Sequence, residues 1–172
     1  FQQKTNKLLV FILYSMITGV YGSNIVAYLT LEEKRINTTV AKTAIRYLFK
    51  FTNDMTKDVK YSYAESLTHN DRYVKCEFLH NTTDDLYMYK INFKPYGFWK
   101  YEVYEVSWTG AVAISAGNAP TTENDILPVA STHGIVQGKV EEGKLYIQET
   151  TGLEQVKYTK HTTTETNYLY TN

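Results

Sequence analysis

Residues 8–29 read LLVFILYSMITGVYGSNIVAYL, a run of 22 residues without a charge. So long an uncharged stretch has few fates: it crosses lipid, it is removed after export, or protein covers it on all sides. Its length is close to the roughly 20 residues that span a hydrocarbon core as a helix. Lys4 and Lys7 precede it, and the mixed-sign Glu32, Glu33, Lys34 and Arg35 follow it. The positive-inside bias then leaves the N-terminus in the cytoplasm and exports the rest of the chain.

Four readings of the run compete. A cleaved signal peptide takes Lys4 and Lys7 as its n-region, residues 8–20 as its h-region and the small residues near Gly22 and Ser23 as the cleavage region. A retained single-pass anchor sets Tyr14, Tyr21 and Tyr28 near polar patches, although Gly19, Gly22, Ser23 and Asn24 make its second half a poor lipid-facing surface. A buried core helix needs more covering protein than a domain of this size supplies. The fourth reading continues into residues 31–59, which hold no Pro or Gly. There Ile36, Val40, Ala44, Ile45, Leu48, Met55 and Val59 recur mostly at steps near three and four, which predicts an amphipathic helix. Its other face, with Glu33, Lys34, Lys42, Arg46, Lys50, Asp54, Lys57 and Asp58, reads as a solvated surface.

Joined end to end, the two segments predict one helix of about 50 residues, roughly 75 Å long, apolar all round in its first half and amphipathic in its second. Phe1, the run 8–29, the amphipathic run to Val59 and a β-rich remainder follow in the order that resembles the layout of type IV pilins and pseudopilins. The resemblance is one of layout over essentially the whole chain, without a diagnostic motif; Thr5 stands where many bacterial pilins carry a glutamate. It implies an α+β fold, with a long N-terminal α-helix in residues 1–59 packed on an antiparallel, β-rich domain in residues 60–172. It also implies a structural subunit of an extracellular filament, held in the membrane before assembly and then packed against its copies. The helix core for that homo-oligomer would be Leu8, Phe11, Ile12, Met16, Ile17, Val20, Ile25 and Leu29.

The remainder alternates as strands do. RYVKCEFLH at 72–80 follows a turn at 68–71, NTTDD at 81–85 turns the chain into LYMYKINF, and KPYG at 94–97 leads into FWKYEVYEVSW, with Trp99, Tyr101 and Val103 on one face. Residues 109–133 are small and polar, with Pro120 and Pro128, and read as a long loop or a short strand with an excursion, and as the best candidate for a binding surface. GIVQGKVEEGKLYIQET at 134–150 predicts a hairpin about Glu141, Glu142 and Gly143, and LEQVKYTK and TNYLYTN two closing strands. About six antiparallel strands are expected. The 16 tyrosines fit pleated surfaces where a ring is half buried and its hydroxyl wet.

The chemistry is sparse. With 18 basic and 18 acidic side chains the formal charge is zero, which offers no electrostatic footprint for nucleic acid. No nucleotide-binding glycine loop, HExxH or GxSxG occurs, so no enzyme and no cofactor are expected. The lone Cys76 excludes an intrachain disulfide and multi-cysteine zinc sites, and its place in an alternating run reads as a buried strand thiol. His69, His80, His133 and His161 lie beside turn-like residues without paired ligand spacing, and Asp84 and Asp85 read as turn residues. Asn37 and Asn81 head N-glycosylation sequons, Asn81 in a turn and Asn37 on the expected helix. The expected location is extracellular or at the cell surface. The rival readings are a secreted or single-pass anchored β-rich binding module, using its tyrosine-rich face, and an accessory subunit of a membrane complex.

Overall fold

Aromatic and β-branched side chains recur at every second position along much of this chain, and such runs pleat into strands because the rings then share one buried face. The computed structural model describes residues 15–65, 67–70 and 72–150. Among these residues there are nine strands: β1 (Ser15–Val20), β2 (Ile25–Leu29), β3 (Ile45–Asn53), β4 (Val59–Tyr63), β5 (Leu67–His69), β6 (Val74–His80), β7 (Lys90–Ile91), β8 (Gly97–Ser107) and β9 (Ile135–Gln148). One sheet has the order β1-β9-β8-β3-β4; the other has the order β2-β6-β5, with β7 beside β6. Pairing is antiparallel except for β1 on β9 and β7 on β6.

The sheets face each other across one core. Ile45, Tyr47, Phe49 and Phe51 alternate inward from β3, and Trp99, Tyr101 and Val103 do so from β8. They meet Ile25, Ala27 and Leu29 of β2 and Val74, Cys76 and Phe78 of β6. Phe78 stands edge-on to Phe49 and Phe51 at centroid separations of 4.7 and 5.4 Å, and Phe93 bridges Phe51 and Trp99 at 4.9 and 5.6 Å. Such edge-to-face pairs add about 0.5–1.5 kcal/mol each beyond the area they bury.

A second, smaller core lies on the opposite face of the five-stranded sheet. Leu48, Tyr63, Val106, Trp108 and Ala119 are buried there under the segment 109–133. That segment contains no strand, as its composition suggests, yet it is tied down along its length. Tyr63 Oη donates to Pro120 O at 2.8 Å, Trp108 Nε1 to Thr132 O at 3.1 Å, and Gly110 N to Ser131 O at 2.9 Å. Glu123 accepts from both Lys50 Nζ and Tyr61 Oη. Gly134 closes the loop against the Trp108 indole, where a Cβ would lie only 2.6 Å from a ring carbon.

The strands overturn the expected long N-terminal helix. Met16, Ile17 and Val20, read as helix assembly core, lie on β1, and Ile25 and Leu29 on β2; Leu8, Phe11 and Ile12 lie outside the described residues. Gly22, at φ +92°, turns the chain between the two strands, a backbone conformation that costs glycine little. The run is uncharged because Ile17, Ile25, Ala27 and Leu29 are core residues, while Met16, Val26 and Tyr28 are exposed. The amphipathic helix of residues 31–59 is likewise replaced, by two 3-10 turns, β3 and the start of β4. Its apparent three-to-four spacing omitted Tyr47, Phe49 and Phe51, whose period of two settles the matter. No helix of the described residues is long and apolar enough to cross a membrane, which says nothing of β-barrels. The α+β fold class, the membrane helix and the pilin-like layout are therefore corrected to a two-sheet, β-rich fold among the described residues.

Two smaller expectations also change. The hairpin about Glu141–Gly143 is instead one continuous strand, β9, whose match to β8 is maintained by register shifts at Val103/Tyr104 and Glu105/Val106. Residues 86–89, expected in a strand, form a tight turn between Asp85 and Lys90. The sequences LEQVKYTK and TNYLYTN, with His161, lie outside the described residues.

Cys76 is fully buried on β6, as its alternating context indicates, and burial pushes its thiol up to about 12. The folded protein at pH 8 is expected to resist iodoacetamide over hours and to take up one equivalent once denatured, read by intact mass.

Candidate functional site

Arg46 sits on β3 between Ile45 and Tyr47, so the pleat turns it away from the main core. It lines a pocket of about 260 Å³ where several elements converge. Ala64 and Glu65 enter just after β4 and Leu67 from β5; Tyr89 comes from the turn before β7, and Val112 and Ile114 from the clamped segment after β8. Aliphatic and aromatic side chains contribute to the walls, but the surface open to the cavity is mostly polar.

The guanidinium of Arg46 is fixed from one side only. Its Nη1 donates to Thr43 O at 3.0 Å and to Ile45 O at 2.7 Å. Nε and Nη2 have no acceptor among the described residues, and neither is sealed away from open space as Arg35 Nε is. Burial lowers the Arg46 pKa, against a smaller opposing effect of Tyr89, but a guanidinium stays charged throughout the physiological range.

Tyr89 is held at φ +61°, a left-handed conformation costing a non-glycine residue roughly 1–2 kcal/mol. Three ties impose it: Asp85 Oδ1 accepts from Tyr87 N and Met88 N at 3.0 and 3.1 Å, Asp85 and Lys90 exchange backbone bonds, and Tyr89 O accepts from Leu79 N at 3.0 Å. A residue forced into this conformation beside a cavity is a feature that recurs at ligand clamps.

A second polar assembly lies around Glu105 and Glu32, where Arg35 Nε and Tyr47 Oη are buried without a hydrogen-bond partner among the described residues. Glu105, fully buried on β8, accepts from Ile36 N and Asn37 N at 2.8 Å each, and Arg35 Nη2 donates to Asn37 O and Val40 O. His69 and Lys42 both reach the Glu32 carboxylate. Burial works against the charged form of Glu32, but hydrogen bonds from Lys42 and His69 outweigh it and leave its pKa lowered. This cluster pins residues 32–42 across the open end of the sandwich.

The groups singled out in the sequence fall into place individually. His80 packs edge-on to Tyr21, and His133 donates from Nδ1 to Pro128 O. Asp84 pairs with Lys60 at 2.9 Å, while Asp85 organises its turn. Among the described residues no group of His, Cys, Asp and Glu is arranged to hold a metal. Asn37 lies in an irregular segment, not on a helix; its Nδ2 donates to Ser107 Oγ and its Oδ1 accepts from Thr39. Asn81 accepts from Thr83 N through Oδ1, with Nδ2 left without a partner among the described residues. Sequence reasoning missed Arg46, read as part of a solvated helix face, and Tyr89, read as a strand residue. The usable signal was the pair of basic residues, Arg46 and Lys50, inside the strand pattern IRYLFKF.

Comparison with family models, with curated proteins and with solved structures finds no match to this chain.

The clamp over the second core is pH-sensitive. Burial raises the pKa of Glu123, but hydrogen bonds from Lys50 and Tyr61 overcome it and depress it below 4.5. A depressed carboxylate contributes stability above its unfolded pKa and loses it as pH falls through the folded value. The urea midpoint is expected to drop below about pH 4.5, with a shallower acid limb in Glu123→Gln. In a host that glycosylates exported proteins, Asn81 is expected to carry glycan and Asn37 none; a mass shift abolished by Asn81→Gln checks this.

Proposed function

We propose that this chain is a non-catalytic binding module, a β-sandwich that captures a small ligand, or one end of a larger one, in the pocket at Arg46. The observation that carries the reading is the convergence on one cavity of an incompletely partnered, fixed guanidinium, a left-handed tyrosine and a mostly polar surface with aliphatic groups from three separate stretches of chain. Binding sites favour groups pre-positioned on rigid elements, because less ordering entropy is then lost on capture. Here the long segment that supplies Val112 and Ile114 is pinned by Tyr63, Trp108 and Glu123, so one wall of the pocket is already set. A volume of about 260 Å³ lies below the range for drug-sized ligands and suits a single small group. The accessible Asn81 sequon supports an exported module, acting outside the cell or at its surface.

The test is a chemically mixed fragment library screened by methyl and amide NMR. Perturbations are expected to cluster on Arg46, Leu67, Val112 and Ile114, and Ile114→Trp is expected to abolish them while the melting temperature holds. Perturbations scattered over other surfaces, or none at all, would overturn the reading.

A further inference from the structure

Arg46 and Glu65 both line the pocket, yet no ion pair joins them. Arg46 forms no ion pair among the described residues, and no second basic side chain lines the cavity. Because Nη1 is spent on two backbone carbonyls, the guanidinium cannot swing away, and it offers its Nε–H and Nη2–H edge. Two parallel N–H groups in one plane match the two oxygens of a carboxylate, a pairing stronger and more directional than a single-point contact. In a half-buried setting such a charge gains most from one counter-charge brought into the same low-dielectric space.

The walls limit what else the ligand carries. Leu67, Val112, Ile114 and Ala64 contribute aliphatic groups to a surface that is otherwise mostly polar, which suits a small body that carries hydrogen-bonding groups beside an apolar side chain. Glu65, in the same lining, repels any anion, and a dianion about twice as strongly as a monoanion. A dianion such as phosphate would bring one charge too many for a single guanidinium with a carboxylate nearby. We infer that the pocket recognises a monocarboxylate on a small, partly polar body, of the kind found at the C-terminus of a peptide ending in a small aliphatic residue. This rests on the binding reading above and adds to it the ligand's charge and shape.

The experiment titrates the full chain with N-acetyl-leucine, N-acetyl-leucinamide and inorganic phosphate, following the Arg46 Nε–H resonance and the Leu67, Val112 and Ile114 methyl groups. The acid is expected to shift all of these and to bind at least tenfold more tightly than the amide or phosphate. Arg46→Gln is expected to weaken the acid at least tenfold. Arg46→Lys, which keeps the charge but loses the two-point edge, is expected to remain several-fold weaker than the native chain. Glu65→Gln is expected to narrow the gap between acid and phosphate. The acid–amide comparison uses the unaltered protein, so the outcome stands whether or not the Arg46 variants fold. Equal binding of acid and amide in the pocket would overturn the carboxylate inference while leaving the binding module intact, and phosphate binding as tightly as the acid would overturn the single-charge requirement. Absence of any shift at these residues would overturn the inference, and the fragment screen then decides the broader reading separately.

Discussion

The contact on which the architecture depends is the edge-to-face stack of Phe49, Phe51, Phe78, Phe93 and Trp99 between the two sheets. Two facing sheets interdigitate side chains across roughly 10 Å, and aromatic rings are the residues that fill so wide a gap from both sides. Once this stack sets the separation and register of β3, β6 and β8, the alternation of each strand decides what faces inward and what faces out. Arg46, Leu48 and Lys50 are thrown to the far side of β3 by the same pleat that buries Tyr47, Phe49 and Phe51. The candidate site is thus a by-product of register: a one-residue slip of β3 would bury the guanidinium and expose the rings.

The outer face of the five-stranded sheet then needs a cover, and the segment 109–133 supplies it without regular structure. Trp108 and Tyr63 are apolar enough to require burial and polar enough to hold backbone carbonyls of the cover in place. Glu123 adds a tie to Lys50 and Tyr61. A segment with its own hydrogen-bond partners and a buried underside is an integral layer of the fold, which is why its side chains can form a fixed pocket wall.

Legibility in the sequence was uneven for physical reasons. Strands β6 and β8 were plain, because RYVKCEFLH and FWKYEVYEVSW alternate strictly, and the burial of Cys76 followed from that alternation. The N-terminal part misled because the outward positions Met16, Val26 and Tyr28 are uncharged although exposed, so β1 and β2 with their glycine turn look like one lipid-facing run. Counting only aliphatic residues in 31–59 produced a helical period that the aromatics contradict. Glycine in β9 suggested a turn, whereas the partner strand β8 carries β9 straight through it. The pocket was not legible because its lining comes from five separate stretches of chain. The turn that begins at Asn81 and the strand-free character of 109–133, by contrast, follow from local composition.

The parallel pairing of β1 with β9 sets Ser15 opposite Gly143 and Val20 opposite Gln148. The first and last described strands are therefore neighbours in one sheet, and the sheet closes only when chain separated by more than a hundred residues is brought together. Loop-closure entropy must be met before those contacts form, so this topology belongs with slow-folding, high contact-order domains. Among the described residues the sheet partner of β1 is β9, the last of these strands to leave the ribosome. Completion of the domain is therefore tied to synthesis of its far end, and in the interval the uncharged N-terminal strands are the surface that the nascent chain has to keep from pairing elsewhere.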